Sequence, residues 1–194
     1  AVAVFERTVT GSLLPVEVIR DNANGVDGLD GAQRLTVSPD GKHLYVPGLY
    51  DNALAVFQRD EVTGRLTFVE VLKDGTGGVD GLNGADSVTV SADGSYVYAT
   101  SLYDDAVAVF SRNAATGRLT YLQAIKDGVT GADGLDGAET ASLSPDGAHV
   151  YVTGFNDDAV AIFGRDSISG LLTYSGVIRA TLDGVICAAL SADG

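Results

Sequence analysis

The residues that most invite a chemical explanation are aspartates spaced among glycines. Three segments, residues 25–32 (GVDGLDGA), 78–85 (GVDGLNGA) and 131–138 (GADGLDGA), are near copies of one another, and each precedes a short acidic turn: Tyr50-Asp51-Asn52, Tyr103-Asp104-Asp105 and Asn156-Asp157-Asp158. If both series open on one face, that face gathers Asp27, Asp30, Asp51, Asp80, Asp104, Asp105, Asp133, Asp136, Asp157 and Asp158, with few basic residues among them. Crowded carboxylates beside turn carbonyls are the hard oxygen ligands that calcium takes, so calcium is the one cofactor the pattern suggests. Residues 75–83 approach a glycine-rich calcium nonapeptide, but that motif works by stacking consecutive copies and here each copy stands alone. The competing reading is conformational: glycine supplies positive φ, and aspartate caps turns through its side chain.

Other reactive side chains carry less. His43 and His149 share a repeat position with Tyr96, which cannot serve as a base near neutral pH, so both histidines are expected to pack on a strand just after a turn. Ser38, Ser91, Ser144 and Ser191 open turns and lack the Gly-x-Ser-x-Gly context of an activated nucleophile. Tyr45, Tyr98 and Tyr151 recur in register as packing residues. Cys187 is the single cysteine and is expected as a small buried side chain.

The elements that position these residues follow from an internal repeat. AVAVFER, ALAVFQR, AVAVFSR and AVAIFGR begin at Ala1, Ala53, Ala106 and Ala159, and SPDGKHLYV, SADGSYVYA and SPDGAHVYV begin at Ser38, Ser91 and Ser144, with a terminal SADG from Ser191. Within one unit four alternating or β-branched runs, around residues 85–91, 96–103, 106–112 and 119–126, are separated by Asp-Gly, Asp-Asp and Thr-Gly turns. A period of about 53 residues holding four antiparallel strands is one blade of a β-propeller, since such a sheet buries its faces only by stacking radially on neighbours. The predicted fold is therefore all-β, one partial propeller over residues 1–194, with units starting near 1, 53, 106 and 159. Labelled outward from the axis as a to d, the strands read c, d, three complete blades and a final strand a over 186–190. The absence of Trp excludes WD40 repeats. A shortened loop at Ala180-Thr181 leaves Asp183 as the only acidic residue of the fourth copy.

Composition narrows the partners. Twelve basic against 26 acidic residues give a net charge of -14, the wrong sign for nucleic acid or anionic lipid, and no apolar run approaches the 18–20 residues of a membrane span. The lack of methionine points to an excerpt of a longer chain. Further blades of the same chain, or another copy, are expected to cover the open sheet edge.

These motifs resemble the β-propeller lactonase-like family, through Ser38–Val46 with Ala53–Arg59, Ser91–Ala99 with Ala106–Arg112, and Ser144–Val152 with Ala159–Arg165. Tyr151-Val152-Thr153-Gly154 is also similar to the YVTN repeats of microbial surface-layer propellers. The resemblance implies a propeller and admits two functions. Because the blades look like copies with equivalent side chains, the reading favoured here is a non-catalytic scaffold or binding module of a secreted or cell-surface microbial protein, extracellular, with a protein or glycan ligand. The alternative is a lactonase-type hydrolase in which a carboxylate and an arginine near the axis act on a sugar lactone.

Overall fold

The structure is a computed structural model that describes residues 1–179 and 184–191. Ala180-Thr181, Asp183 and the last three residues of the terminal SADG lie outside the described residues, so the shortened fourth loop does too. Fourteen strands follow one another with no helix among the described residues. β1 (Val2–Arg7) and β2 (Leu13–Ile19) form a two-stranded sheet. Three four-stranded sheets follow. The first holds β3 (Thr36–Val37), β4 (His43–Gly48), β5 (Ala53–Arg59) and β6 (Leu66–Lys73). The second holds β7 (Ala85–Val90), β8 (Tyr96–Ser101), β9 (Ala106–Arg112) and β10 (Leu119–Lys126). The third holds β11 (Ala138–Leu143), β12 (His149–Gly154), β13 (Ala159–Arg165) and β14 (Leu172–Ile178). Every neighbouring pair is antiparallel and consecutive in sequence, which is the blade meander expected from the repeat.

The strand composition explains the packing. Ala106 through Phe110 of β9 are all fully buried although their side chains alternate between two faces, so both faces of the sheet meet protein. Tyr45, Leu54 and Val56 of the first full blade pack with Val88, Val97, Ala99 and Phe110 of the second, and Tyr98, Val107 and Val109 pack with Val150, Val152 and Phe163 of the third. The core is thus the set of wedges between blades. Phe5, Leu13 and Leu14 of the two-stranded sheet and Leu35 and Val37 of the first full blade are exposed.

A polar clasp closes each wedge between full blades at one end. Arg112, 1% exposed at the end of β9, donates from Nε to Tyr45 Oη (2.7 Å) and from Nη2 to Asp40 Oδ2 (2.7 Å) of the preceding blade, while its Nη1 donates to Gly94 O (2.9 Å) of its own. Tyr45 Oη in turn donates to Gly117 O (3.0 Å). One blade further on, Arg165 repeats the pattern with Tyr98 (2.6 Å), Asp93 (3.4 Å) and Gly147 (3.0 Å), and Tyr98 donates to Gly170 O (3.0 Å). The serines that open the turns cap them: Ser38 Oγ donates to Asp40 Oδ1 (2.6 Å) and accepts from His43 N (3.0 Å).

Three expectations are corrected at the unpaired end of the molecule. Residues 186–190 form no strand, because no segment among the described residues ladders with them. One hydrogen bond, Ser142 Oγ to Ala188 O (2.9 Å), ties the segment to β11. Cys187 is accordingly exposed rather than buried. His43 is buried beneath Gly117 of the next blade, as expected, but His149 is exposed, with no blade lying over it among the described residues.

The clasp makes stability depend on charge. Burial opposes ionisation of Asp40, but hydrogen bonds from Ser38, Arg112 and the Lys42 amide outweigh it and hold the carboxyl well below the usual carboxylate range. A depressed folded-state pKa contributes stability that is complete above the unfolded value near 4 and is lost as pH falls through the folded value. Arg112→Met should cost about 3 kcal/mol in urea denaturation at neutral pH and flatten the acid limb of the stability profile, with Arg112→Lys recovering only part because an ammonium cannot replace the guanidinium fork.

Candidate active site

The inner strands begin on the face where the glycine-rich loops and the acidic turns meet, and there the repeat breaks down. Gln33, Asp86, Glu139 and Ile186 occupy one repeat position; Arg34, Ser87, Thr140 and Cys187 occupy the next. In β7 the ladder register shifts between Ala85 and Ser87, and in β11 between Ala138 and Ala141, so Asp86 and Glu139 both sit on irregularities of their strands. Such bulges re-aim a side chain. Arg34, just before β3, forms an isolated parallel bridge with Ser87, its amide donating to Asp86 O (3.3 Å). Its guanidinium then reaches across two blades: Nη1 pairs with Asp86 Oδ2, and Nη2 donates to Glu139 Oε2 at 2.7 Å. The two carboxylates are mostly enclosed, with side chains 8% and 16% exposed, while Arg34 is 42% exposed. Three unlike residues from three blades therefore converge on one cluster near the axis, two bases around one cation whose open side meets solvent.

The sequence-predicted aspartates are brought together only in part. Among the described residues, carboxylate oxygens lie within 4.8 Å of one another in three sets: Asp21, Asp27 and Asp51; Asp74, Asp80 and Asp104; Asp127, Asp133 and Asp157. Asp30, Asp105, Asp136 and Asp158 stand outside these sets. Asp105 and Asp158 accept from the Gly137 and Gly184 amides (2.8 and 2.6 Å), and Asp136 accepts from Asn156 Nδ2 (2.8 Å). Asp21, Asp74 and Asp127 went unnoticed in the sequence, where their recurrence at the end of strand d was the signal. Each accepts from a loop amide eight residues on, Leu29, Leu82 or Leu135 (2.9, 3.0 and 3.0 Å).

The expected shortage of basic residues is corrected, because every set holds a cation from the end of a d strand. Lys73 donates to Asp27 (2.9 Å), Lys126 lies 2.7 Å from Asp80 and 3.2 Å from Asp104, and Arg179 lies 2.6 Å from Asp133 and 3.3 Å from Asp157. Burial disfavours the Lys126 ammonium, yet its hydrogen bonds to Asp80 and Asp104 outweigh this and raise its pKa. A divalent ion entering such a set would have to displace that cation.

With this geometry in view, the family model for the lactonase 7-bladed β-propeller matches residues 1–77 and 71–181. The chain belongs to that lactonase family. A 6-phosphogluconolactonase of Klebsiella pneumoniae (strain 342) is 24% identical over 178 residues, 89% of this chain and 53% of that protein. Among solved structures, a candidate 6-phosphogluconolactonase from Bacteroides fragilis NCTC 9343 superposes with a TM-score of 0.79 at 23% identity, covering 99% of this chain and 55% of that one. The periplasmic gluconolactonase of Pseudomonas aeruginosa superposes with a TM-score of 0.66 at 23% identity, covering 90% of this chain and 44% of that one. The chain thus spans about half the length of the relatives it matches, and the structural likenesses establish the propeller.

The expectation of a non-catalytic scaffold is overturned by these relatives, which carry lactonase names. The premise behind it fails for a physical reason as well. Blades copy one another where they must stack, but the ends of the inner strands touch no equivalent surface and are free to diverge.

Removing the internal cation tests the acidic sets. Lys126→Met should lower the melting midpoint at low ionic strength by the equivalent of up to about 1 kcal/mol, and added salt should shrink the difference. At equal ionic strength calcium and magnesium should leave the wild-type midpoint alike; a calcium-selective rise would mean that the ion displaces Lys126.

Proposed function

We propose that this chain carries part of the active site of a lactonase-type hydrolase acting on a sugar lactone, with Arg34, Asp86 and Glu139 as its reactive group. The observation that carries the reading is the placement of one guanidinium between two carboxylates that sit on strand bulges, at adjacent repeat positions where the blades of this lactonase-family chain differ.

The chemistry these residues can perform is hydrolysis through a tetrahedral adduct. Water adds to the lactone carbonyl carbon while Glu139, the more open of the two carboxylates, takes its proton. The carbonyl oxygen becomes an anion, which Arg34 stabilises by charge-assisted hydrogen bonds. Collapse of the adduct restores the C=O bond and breaks the ring C–O bond. The proton held by Glu139 passes to the departing ring oxygen, leaving a hydroxy acid. Asp86, the more enclosed carboxylate, keeps Arg34 oriented through its pairing with Nη1.

Turnover of glucono- and 6-phosphogluconolactone by the intact polypeptide, measured above spontaneous hydrolysis, is the test. Glu139→Gln should reduce kcat by roughly 10²- to 10⁴-fold and Arg34→Met by about 10²- to 10³-fold, both with an unchanged fold by circular dichroism. Wild-type turnover in both variants would remove these residues from the reaction.

A further inference from the structure

Glu139 lies on backbone that the sheet ladder does not hold. β11 pairs with β12 at Ala138↔Gly154 and resumes only at Ala141↔Val152, so the intervening residues, Glu139 and Thr140, need other partners for their peptide groups. Two buried threonines supply them. Thr153 Oγ1, on β12 of the same blade, accepts from Thr140 N (3.1 Å) and lies 3.0 Å from Thr140 Oγ1. Thr100, on β8 of the preceding blade and fully buried, donates from Oγ1 to Glu139 O at 2.6 Å, crossing the wedge between blades.

The position of Thr100 ties both carboxylates together. Its ladder partner is Ser87, the residue after Asp86, so one residue is paired beside the Asp86 bulge through its backbone and bonded to the Glu139 bulge through its side chain. The equivalent residue one blade earlier is Pro47, which has no hydroxyl and whose carbonyl instead accepts from Gln33 N (3.0 Å). Blade stacking alone therefore does not demand a threonine there.

We propose that Thr100 is a positioning residue for Glu139. By pinning the Glu139 carbonyl, its hydroxyl fixes the bulge that delivers the carboxylate to Arg34, and without it the strand can relax and carry the carboxylate away from its partner. The inference rests on the reading of Glu139 as the base, and displacements on the scale of 1 Å at such a group are kinetically large.

The experiment compares Thr100→Val, Thr100→Ser, Glu139→Gln and Tyr98→Phe in the intact polypeptide. Tyr98 is on the same strand, and loss of its hydroxyl removes two hydrogen bonds at the same blade interface, Tyr98 Oη to Gly170 O and Arg165 Nε to Tyr98 Oη, so it controls for simple destabilisation. Thr100→Val should lower kcat about tenfold or more with KM within twofold, Thr100→Ser should recover most of it, and Tyr98→Phe should lower the melting midpoint while keeping kcat. A crystal structure of Thr100→Val should show the Glu139 carboxylate withdrawn from Arg34. Wild-type kcat in Thr100→Val alongside an inactive Glu139→Gln would overturn the role of Thr100 alone, as would equal impairment of the Val and Ser variants or an unmoved Arg34–Glu139 pair. Full turnover in Glu139→Gln would instead remove the base, and the catalytic role of Thr100 with it.

Discussion

The guanidinium that leaves the end of one blade's third strand and enters the preceding blade is the contact on which the arrangement of blades depends. Apolar wedges between sheets are attractive at many relative tilts, since burial is non-directional. Arg112 is not indifferent to tilt: its five donors lie in one plane, and they reach Tyr45, Asp40 and Gly94 together only at one rotation of blade against blade. His43 completes the cluster. The guanidinium has no acceptor, so His43 Nδ1 accepts from Arg112 Nη2 (2.8 Å), and burial together with the positive charge beside it pushes the imidazole pKa down. The ring is thereby neutral with its proton on Nε2, which has no partner among the described residues.

The opposite face and the outer strands are joined in the same repeating manner. Glu17 bridges to Arg65 and the Leu66 amide, Glu70 to Arg118 and the Leu119 amide, and Gln123 to both the amide and carbonyl of Leu172. The acidic sets with Lys73, Lys126 and Arg179 close the loop face. The arginine clasps and the outer-strand bridges each join a blade to its successor, which is why the same residue types return every 53 residues. A frame pinned on both faces leaves the ends of the inner strands fixed in space, and unlike side chains placed there inherit that fixity. Glu139, Asp86 and Arg34 are far apart in sequence and meet only because the blades are held at defined angles.

Much of this was legible beforehand. Val-Ala-Val-Phe runs with no polar face announce sheets covered on both sides, and Ser-x-Asp-Gly turns set strand boundaries within a residue or two. The partial propeller needed nothing more. The arginines of the clasp stand in plain view at positions 112 and 165, in step with Arg59, and their partners Asp40 and Asp93, Tyr45 and Tyr98 recur in step with Asp146 and Tyr151. What hid their role is that the partners belong to different repeats, so no pairing shows within a single unit. The reactive cluster is hidden by the opposite cause: a repeat shows itself through the columns that agree, whereas Gln33, Asp86, Glu139 and Ile186 form a column that does not.

Periodicity, turn chemistry and the alternation of small and branched side chains are local properties, and they determined the strands, their order and the blade architecture of this chain. Position 186–190 marks the limit of that power: the segment overlays a strand in the repeat yet is not one here, because a strand needs a hydrogen-bonded neighbour and the sequence alone does not provide it. Whether an aspartate meets a lysine, whether a histidine is covered, and whether Arg34 lies between Asp86 and Glu139 were decided only by tertiary structure. Those facts depend on the angle between successive blades and on bulges that turn a side chain toward the axis, and both arise from contacts between residues distant in the sequence, 13 apart at the Glu139 bulge and up to 72 apart across the blade clasps.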